Sequence, residues 1–231
     1  MARSVSKAWQ HPLHAALMAV LAIALNGPLQ AQTQTARPAG TARTAPLQGT
    51  LLVLGDSLSA EYGLTRGTGW VALMTQRLQA KKIGLEVVNA SISGETTAGG
   101  RTRLPKLLER YRPALVVIEL GGNDALRGLP LTATETNLRD MAAAARQAGA
   151  RTVILGMKMP PNYGRAYAQA FSDLYARVAS TEQASLVPFM LEAIADRIDL
   201  FQADRIHPSE QAQPLILDTV WPVLAKTIQT R

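Results

Sequence analysis

Short apolar runs, each closed by glycine or a polar cluster, recur along the chain and alternate with longer stretches patterned for helices. Thr50–Gly55 is such a run, apolar from Leu51 until its final glycine, which suits a strand buried on both faces. Leu85–Asn89, Ala114–Leu120 and Arg151–Leu155 repeat the type, and Ser185–Phe189 is a weaker fifth. Between them fall helical patterns at about 69–82, 102–110, 134–147 and 165–183, with a terminal one at about 209–227. Strands alternating with helices need crossover connections, so the pattern predicts an α/β fold with a parallel sheet covered by helices on both faces. In such a sheet, ligands bind outside the carboxyl ends of the strands. The polar clusters fall there: Gly55-Asp56-Ser57 after the first strand, Asn89 to Gly94 after the second, Gly121-Gly122-Asn123-Asp124 after the third.

The first 48 residues read differently. Arg3 and Lys7 precede an uninterrupted apolar run, Ala15–Leu25, and a small residue, Ala31, follows at the exit. That is the layout of a secretory signal peptide over residues 1–31, and the run is too short for a bilayer span, which needs about 20 residues. No stable membrane span is expected, and the leader addresses the chain to a secreted or periplasmic location. Residues 32–48, rich in Thr, Ala, Gln and Pro, read as a flexible linker, leaving 49–231 as one folded domain.

Composition narrows the chemistry. With no cysteine among 231 residues, thiolate nucleophiles, disulfides and zinc–cysteine sites are excluded. The three histidines are His11, His14 and His207; removal of the leader would leave His207 alone, so a multi-histidine metal centre is not expected. The net charge of +7 invites a nucleic-acid reading, but four of the basic residues lie in 1–48 with no acid among them. The other 20 face 17 acids and are interspersed, and aromatics make up only 5%, so no basic stripe with interleaved aromatics exists. No nucleic-acid partner is expected.

Ser57 is the leading nucleophile, because a serine where a strand gives way to a loop presents its hydroxyl to the cleft while backbone N–H groups face it. Gly55-Asp-Ser-Leu-Ser59 is not the G-x-S-x-G elbow, since Ser59 stands at the second glycine's place. A helix-capping serine is the plain alternative. A hydroxyl needs a base, and Asp204-Arg-Ile-His207 supplies an imidazole with a carboxylate three residues earlier, close enough in one turn to orient the ring. Pro208 is placed to open the last helix, with His207 at its lip. Gly94 and the Asn123 amide are candidate donors for an oxyanion, although both residue types also make ordinary tight turns.

Together these blocks, in this chain order, resemble the SGNH or GDSL hydrolase superfamily. The likeness is strongest to its acyl-CoA thioesterase I, lysophospholipase L1 and arylesterase group, through Leu54–Ala60, Asn89–Glu95, Glu119–Asp124 and Pro161–Gly164. It covers about 49–225. The resemblance implies a three-layer α/β/α sandwich with a flavodoxin-like sheet of about five strands. It implies Ser57 as nucleophile, His207 as base and Asp204 as its orienter, with Ser57, Gly94 and Asn123 as the oxyanion hole. Asp56, Leu58, Asp124, Leu126, Arg127, Tyr163 and Ile206 are expected to contact substrate, and no metal or cofactor is implied. Ala125–Pro130 resembles a loop that moves over acyl chains in that group, and Glu61 stands where relatives often carry glycine.

The expected activity is hydrolysis of small acyl esters, thioesters or lysolipids by a monomer. A carbohydrate O-acetylesterase of the same superfamily and a non-catalytic periplasmic binding protein are the alternatives.

Overall fold

The computed structural model describes residues 47–230. The leader and most of the linker read from the sequence lie outside them. Five strands alternate with the helices: β1 (Gly49–Gly55), α1 (Trp70–Ala80), β2 (Leu85–Asn89), α2 (Thr97–Tyr111), β3 (Leu115–Glu119), α3 (Gly122–Leu126), α4 (Leu131–Gln147), β4 (Arg151–Leu155), α5 (Arg165–Glu182), β5 (Ser185–Val187) and α6 (Gln213–Gln229). All neighbouring strands pair in parallel, in the order β2-β1-β3-β4-β5. This is the doubly wound arrangement, whose direction of winding reverses between β1 and β3. Helix α1 packs with α6, while α4 packs with α2 and α5, giving three layers.

The apolar runs of β1, β3 and β4 are strands because each is covered on both sides, whereas the outer strands β2 and β5 are only partly buried. Leu51–Leu54, Leu115–Ile118 and Val153–Leu155 are fully buried. Against them pack Trp70, Met74 and Leu78 of α1, Leu104 of α2, Leu138 and Met141 of α4, Phe171 and Tyr175 of α5, and Val220 and Leu224 of α6. Each such side chain removed from water contributes about 1.5–3 kcal/mol. Among the described residues no helix is long and apolar enough to cross a membrane.

The structure departs from the periodicity in four places. Helix α2 begins at Thr97, five residues before the expected start, because Thr96 caps it by accepting from the Gly99 N–H. Gly99-Gly100 looks like a break in sequence, yet a β-carbon on Gly100 would strike Leu120, so the glycine is there for close helix–strand packing. Gly122–Leu126, expected within a loop after the third strand, is a short helix entered through Gly121 at φ 119°. Strand β5 stops at Val187 because Pro188 has no N–H to continue the ladder. The last helix begins at Gln213 rather than Ser209, after a 3-10 turn at Glu210–Ala212. Pro208 therefore does not open it; it forms an antiparallel bridge with Phe201.

Candidate active site

The site lies on the carboxyl edge of the sheet, beside the reversal point between β1 and β3. Ser57 stands two residues beyond β1, in a turn where the Ser59 and Ala60 N–H groups both donate to the Asp56 carbonyl. His207 reaches it from a loop near the other end of the chain, 150 positions away, with Nε2 2.9 Å from the Ser57 Oγ.

That loop is closed by local bonds. The Gln202 N–H donates to the His207 carbonyl at 2.7 Å, and the Ser209 N–H donates to the Leu200 carbonyl at 2.7 Å. Arg205 takes a left-handed conformation, φ 58°, to complete the turn. One oxygen of Asp204 accepts from the backbone N–H groups of Ile206 and His207 at 2.9 and 3.0 Å, and the other meets His207 Nδ1 at 2.6 Å. These bonds, led by the His207 N–H, hold the Asp204 carboxyl down at about 2. An ionised Asp204 fixes the proton on Nδ1, which leaves Nε2 to accept from the Ser57 hydroxyl. The Tyr62 ring covers the imidazole, centroid to centroid 4.4 Å, and Gln202 ties this segment down by donating to the Tyr62 carbonyl.

Of the other expected residues, Gly94 has φ 78°, and its carbonyl accepts from the Arg127 guanidinium at 2.9 Å. Among the described residues, neither the Ser57 nor the Gly94 N–H donates to a protein acceptor. The Asn123 amide donates to Asp56 at 2.9 Å and keeps its second N–H. Leu126, Arg127, Tyr163 and Ile206 stand exposed on the same edge, and Leu58 is half-buried against the core.

Asp56 and Asp124 require correction as substrate contacts. Each is only 2% exposed, with its carboxylate spent inside the protein. Asp124 accepts from the Thr97 N–H at 2.9 Å and from the Thr97 hydroxyl, and Asn137 donates to that hydroxyl in turn. It thereby joins α2, α3 and α4. Asp56 accepts from the Leu58 N–H at 3.0 Å and from Asn123; burial outweighs these bonds and pushes its carboxyl up to about 6.

Sequence reasoning named Glu119 and Ser59 only as members of motif blocks and gave neither a role in the site. Glu119 is fully buried at the end of β3, where one of its oxygens accepts from the Asp56 N–H at 3.2 Å and the Ser59 hydroxyl at 2.7 Å. Burial first, then the charge of Asp56, raises its carboxyl well above the ordinary range. The available signal was an acid inside an otherwise apolar strand run. Glu61, flagged in place of a glycine, holds φ 59°, and its carboxylate accepts from the Gly67 and Gly69 N–H groups at 2.9–3.0 Å.

A sheet edge that sets a hydroxyl against an imidazole, with a carboxylate behind the ring, belongs to the hydrolases. Residues 53–214 match the GDSL-like Lipase/Acylhydrolase family, and the chain belongs to that family. It is an ester hydrolase. Among its relatives, "Esterase TesA" of Pseudomonas aeruginosa is 53% identical over 175 residues, spanning 76% of this chain and 87% of the relative. "Thioesterase 1/protease 1/lysophospholipase L1" of Escherichia coli K12 is 43% identical over 180 residues, spanning 78% and 83%. The crystal structure of TesA superposes with a TM-score of 0.76 at 52% identity, covering 77% of this chain and 99% of that one.

Proposed function

We propose that the protein is a secreted serine esterase that hydrolyses carboxylic esters and thioesters, lysophospholipids among them, through an acyl-enzyme on Ser57. The single observation carrying this reading is the 2.9 Å contact between Ser57 Oγ and His207 Nε2, with Nδ1 held by Asp204. His207 takes the hydroxyl proton as Oγ attacks the acyl carbon, and returns it to the departing alcohol or thiol. Water, deprotonated by the same imidazole, then releases the acid. The oxyanion formed at each step is met by the Ser57 and Gly94 N–H groups and by the second N–H of Asn123. Thioester and lysolipid substrates are supported by the name of the Escherichia coli relative, and by the apolar surface that Leu126, Tyr163 and Ile206 leave exposed on the same edge of the sheet. Export is supported by the sequence of residues 1–31 alone.

Kinetics on p-nitrophenyl butyrate test the chemistry. Ser57→Ala and His207→Ala should each lower kcat by about 10³ or more with the fold intact. Retention of most activity by either refutes the assignment. A fluorophosphonate should label one equivalent of protein at Ser57, which a binding protein with an inert serine would not allow. An acyl-length series of esters and thioesters then fixes the preferred substrate. N-terminal sequencing of the exported protein locates the cut.

A further inference from the structure

The geometry points to a division of labour between two buried carboxyl groups: Glu119, as a neutral acid, pins the serine turn, and Asp56, as the carboxylate, is the positioning residue that aims the Asn123 amide. This rests on the esterase reading above and adds to it the means by which the oxyanion donors are held in place.

The two groups reach both sides of the nucleophile. The Glu119 oxygen accepts from residue 56 through its backbone and from residue 59 through its hydroxyl, so one atom at the end of β3 brackets Ser57 in the turn that follows β1. There is no slack in this bracket, since a β-carbon on Gly55 would come within 2.7 Å of that oxygen and 2.8 Å of the Ser59 hydroxyl. Asp56 adds the second tie. Its Oδ1 takes the Leu58 N–H, and its Oδ2 takes one of the two amide hydrogens of Asn123. With that hydrogen bound, the amide plane cannot turn, and the other N–H keeps a fixed direction. Donors fixed before the reaction stabilise an oxyanion far better than donors that must reorganise.

Two adjacent carboxyls without a cationic partner cannot both ionise in a dry interior. Among the described residues, Glu119 has no basic side chain against it, its second oxygen is buried without a partner, and its donors are a backbone N–H and a hydroxyl. Asp56 has two N–H donors and feels the imidazole of His207. The single charge therefore settles on Asp56, while burial and that neighbouring charge hold the Glu119 carboxyl neutral. Tyr175 also lies within reach of the pair, fully buried and raised by burial, Glu119, Asp56 and Asp124, so it stays neutral as well. A neutral acid is closely imitated by an amide, whereas a carboxylate is not. The roles are therefore separable by isosteric substitution.

The experiment compares Asp56→Asn with Glu119→Gln, measuring kcat and KM on p-nitrophenyl butyrate across pH 5 to 9. Rates are normalised to the sites titrated by a fluorophosphonate, so that misfolded protein drops out. The expected result is a loss in kcat of about tenfold or more in Asp56→Asn with little change in KM, because the aim of a transition-state donor is lost. Glu119→Gln should cost about threefold. A ratio of losses below about threefold between the two variants overturns the proposal. So does a larger loss in Glu119→Gln, which would place the charge on Glu119.

Should either variant fail to fold, the wild type decides. At neutral pH, its infrared spectrum with 13C-labelled glutamate must show the carbonyl stretch of a protonated carboxylic acid, and absence of that band overturns the proposal. If wild-type protein neither hydrolyses the ester nor takes up the fluorophosphonate, it is the esterase reading that has failed; the infrared band tests the carboxyl pair independently.

Discussion

His207 and Ser57 are joined by a 2.9 Å contact across the reversal point of the sheet, while Asp204 holds the far side of the imidazole at 2.6 Å. The strength of the second contact comes from an ordinary turn. Asp204 is already bound to two backbone N–H groups of its own loop, so its free oxygen has little freedom of direction.

Asp204→Asn should therefore lower kcat by about 10²–10⁴, with the loop still folded, because an amide no longer dictates which ring nitrogen carries the proton. Steady-state kinetics on a p-nitrophenyl ester checks this. The depressed carboxyl has a second consequence of definite sign. Its contribution to stability is present above the ordinary value of 3.8 and drains as pH falls through about 2. The melting temperatures of wild type and Asp204→Asn should accordingly converge as pH falls from 4 toward 2.

Asp56 works in the opposite direction. A carboxyl raised to about 6 favours the folded state when protonated, so its contribution is greatest below 3.8 and is lost as pH rises through 6. The melting temperature of Asp56→Asn, relative to wild type, should rise between pH 4 and pH 8. A difference that is flat or falls with pH would show that burial does not govern this group. Above pH 6, where the enzyme needs Asp56 charged to aim Asn123, that charge costs stability, as functional sites commonly do.

Gly121 joins β3 to the short helix that carries Asn123. Its φ of 119° disfavours any side chain, and a β-carbon would strike the Tyr175 hydroxyl, which donates to the Leu120 carbonyl. Gly121→Ala should cost about 2 kcal/mol or more in chemical denaturation, from backbone strain and overpacking together. It should also reduce kcat, since the helix that presents the amide must shift.

Glu61 offers a milder test. Its carboxylate fastens the Gly67 and Gly69 N–H groups while its own backbone sits at φ 59°. Glu61→Gly should relieve the backbone and release the clamp, leaving global stability within about 1 kcal/mol. Hydrogen exchange at Gly67 and Gly69 should become faster, and unchanged exchange would contradict the clamp.

The layered α/β architecture was legible in the chain because strands buried on both faces must be apolar throughout, as Leu51–Leu54 and Leu115–Ile118 are. The order of short apolar runs and longer amphipathic ones then fixes strand and helix alternation. Ser57, Gly94 and Asn123 could be singled out for a related reason: residues just beyond such runs must emerge at the edge of the sheet. Asp204 and His207 follow no strand and were legible instead as an imidazole with an acid three residues before it. Spacing alone was silent on which polar residues face outward. Asp56 and Asp124 sit beside Ser57 and Asn123 in sequence yet point into the protein, and Glu119 is hidden at the end of a strand. Contacts between residues 56 and 123, or 59 and 119, exist only once the sheet has brought β1 and β3 together. Whether each acid carries a charge depends on the water excluded by that packing, a property of the folded interior that no local stretch of sequence contains.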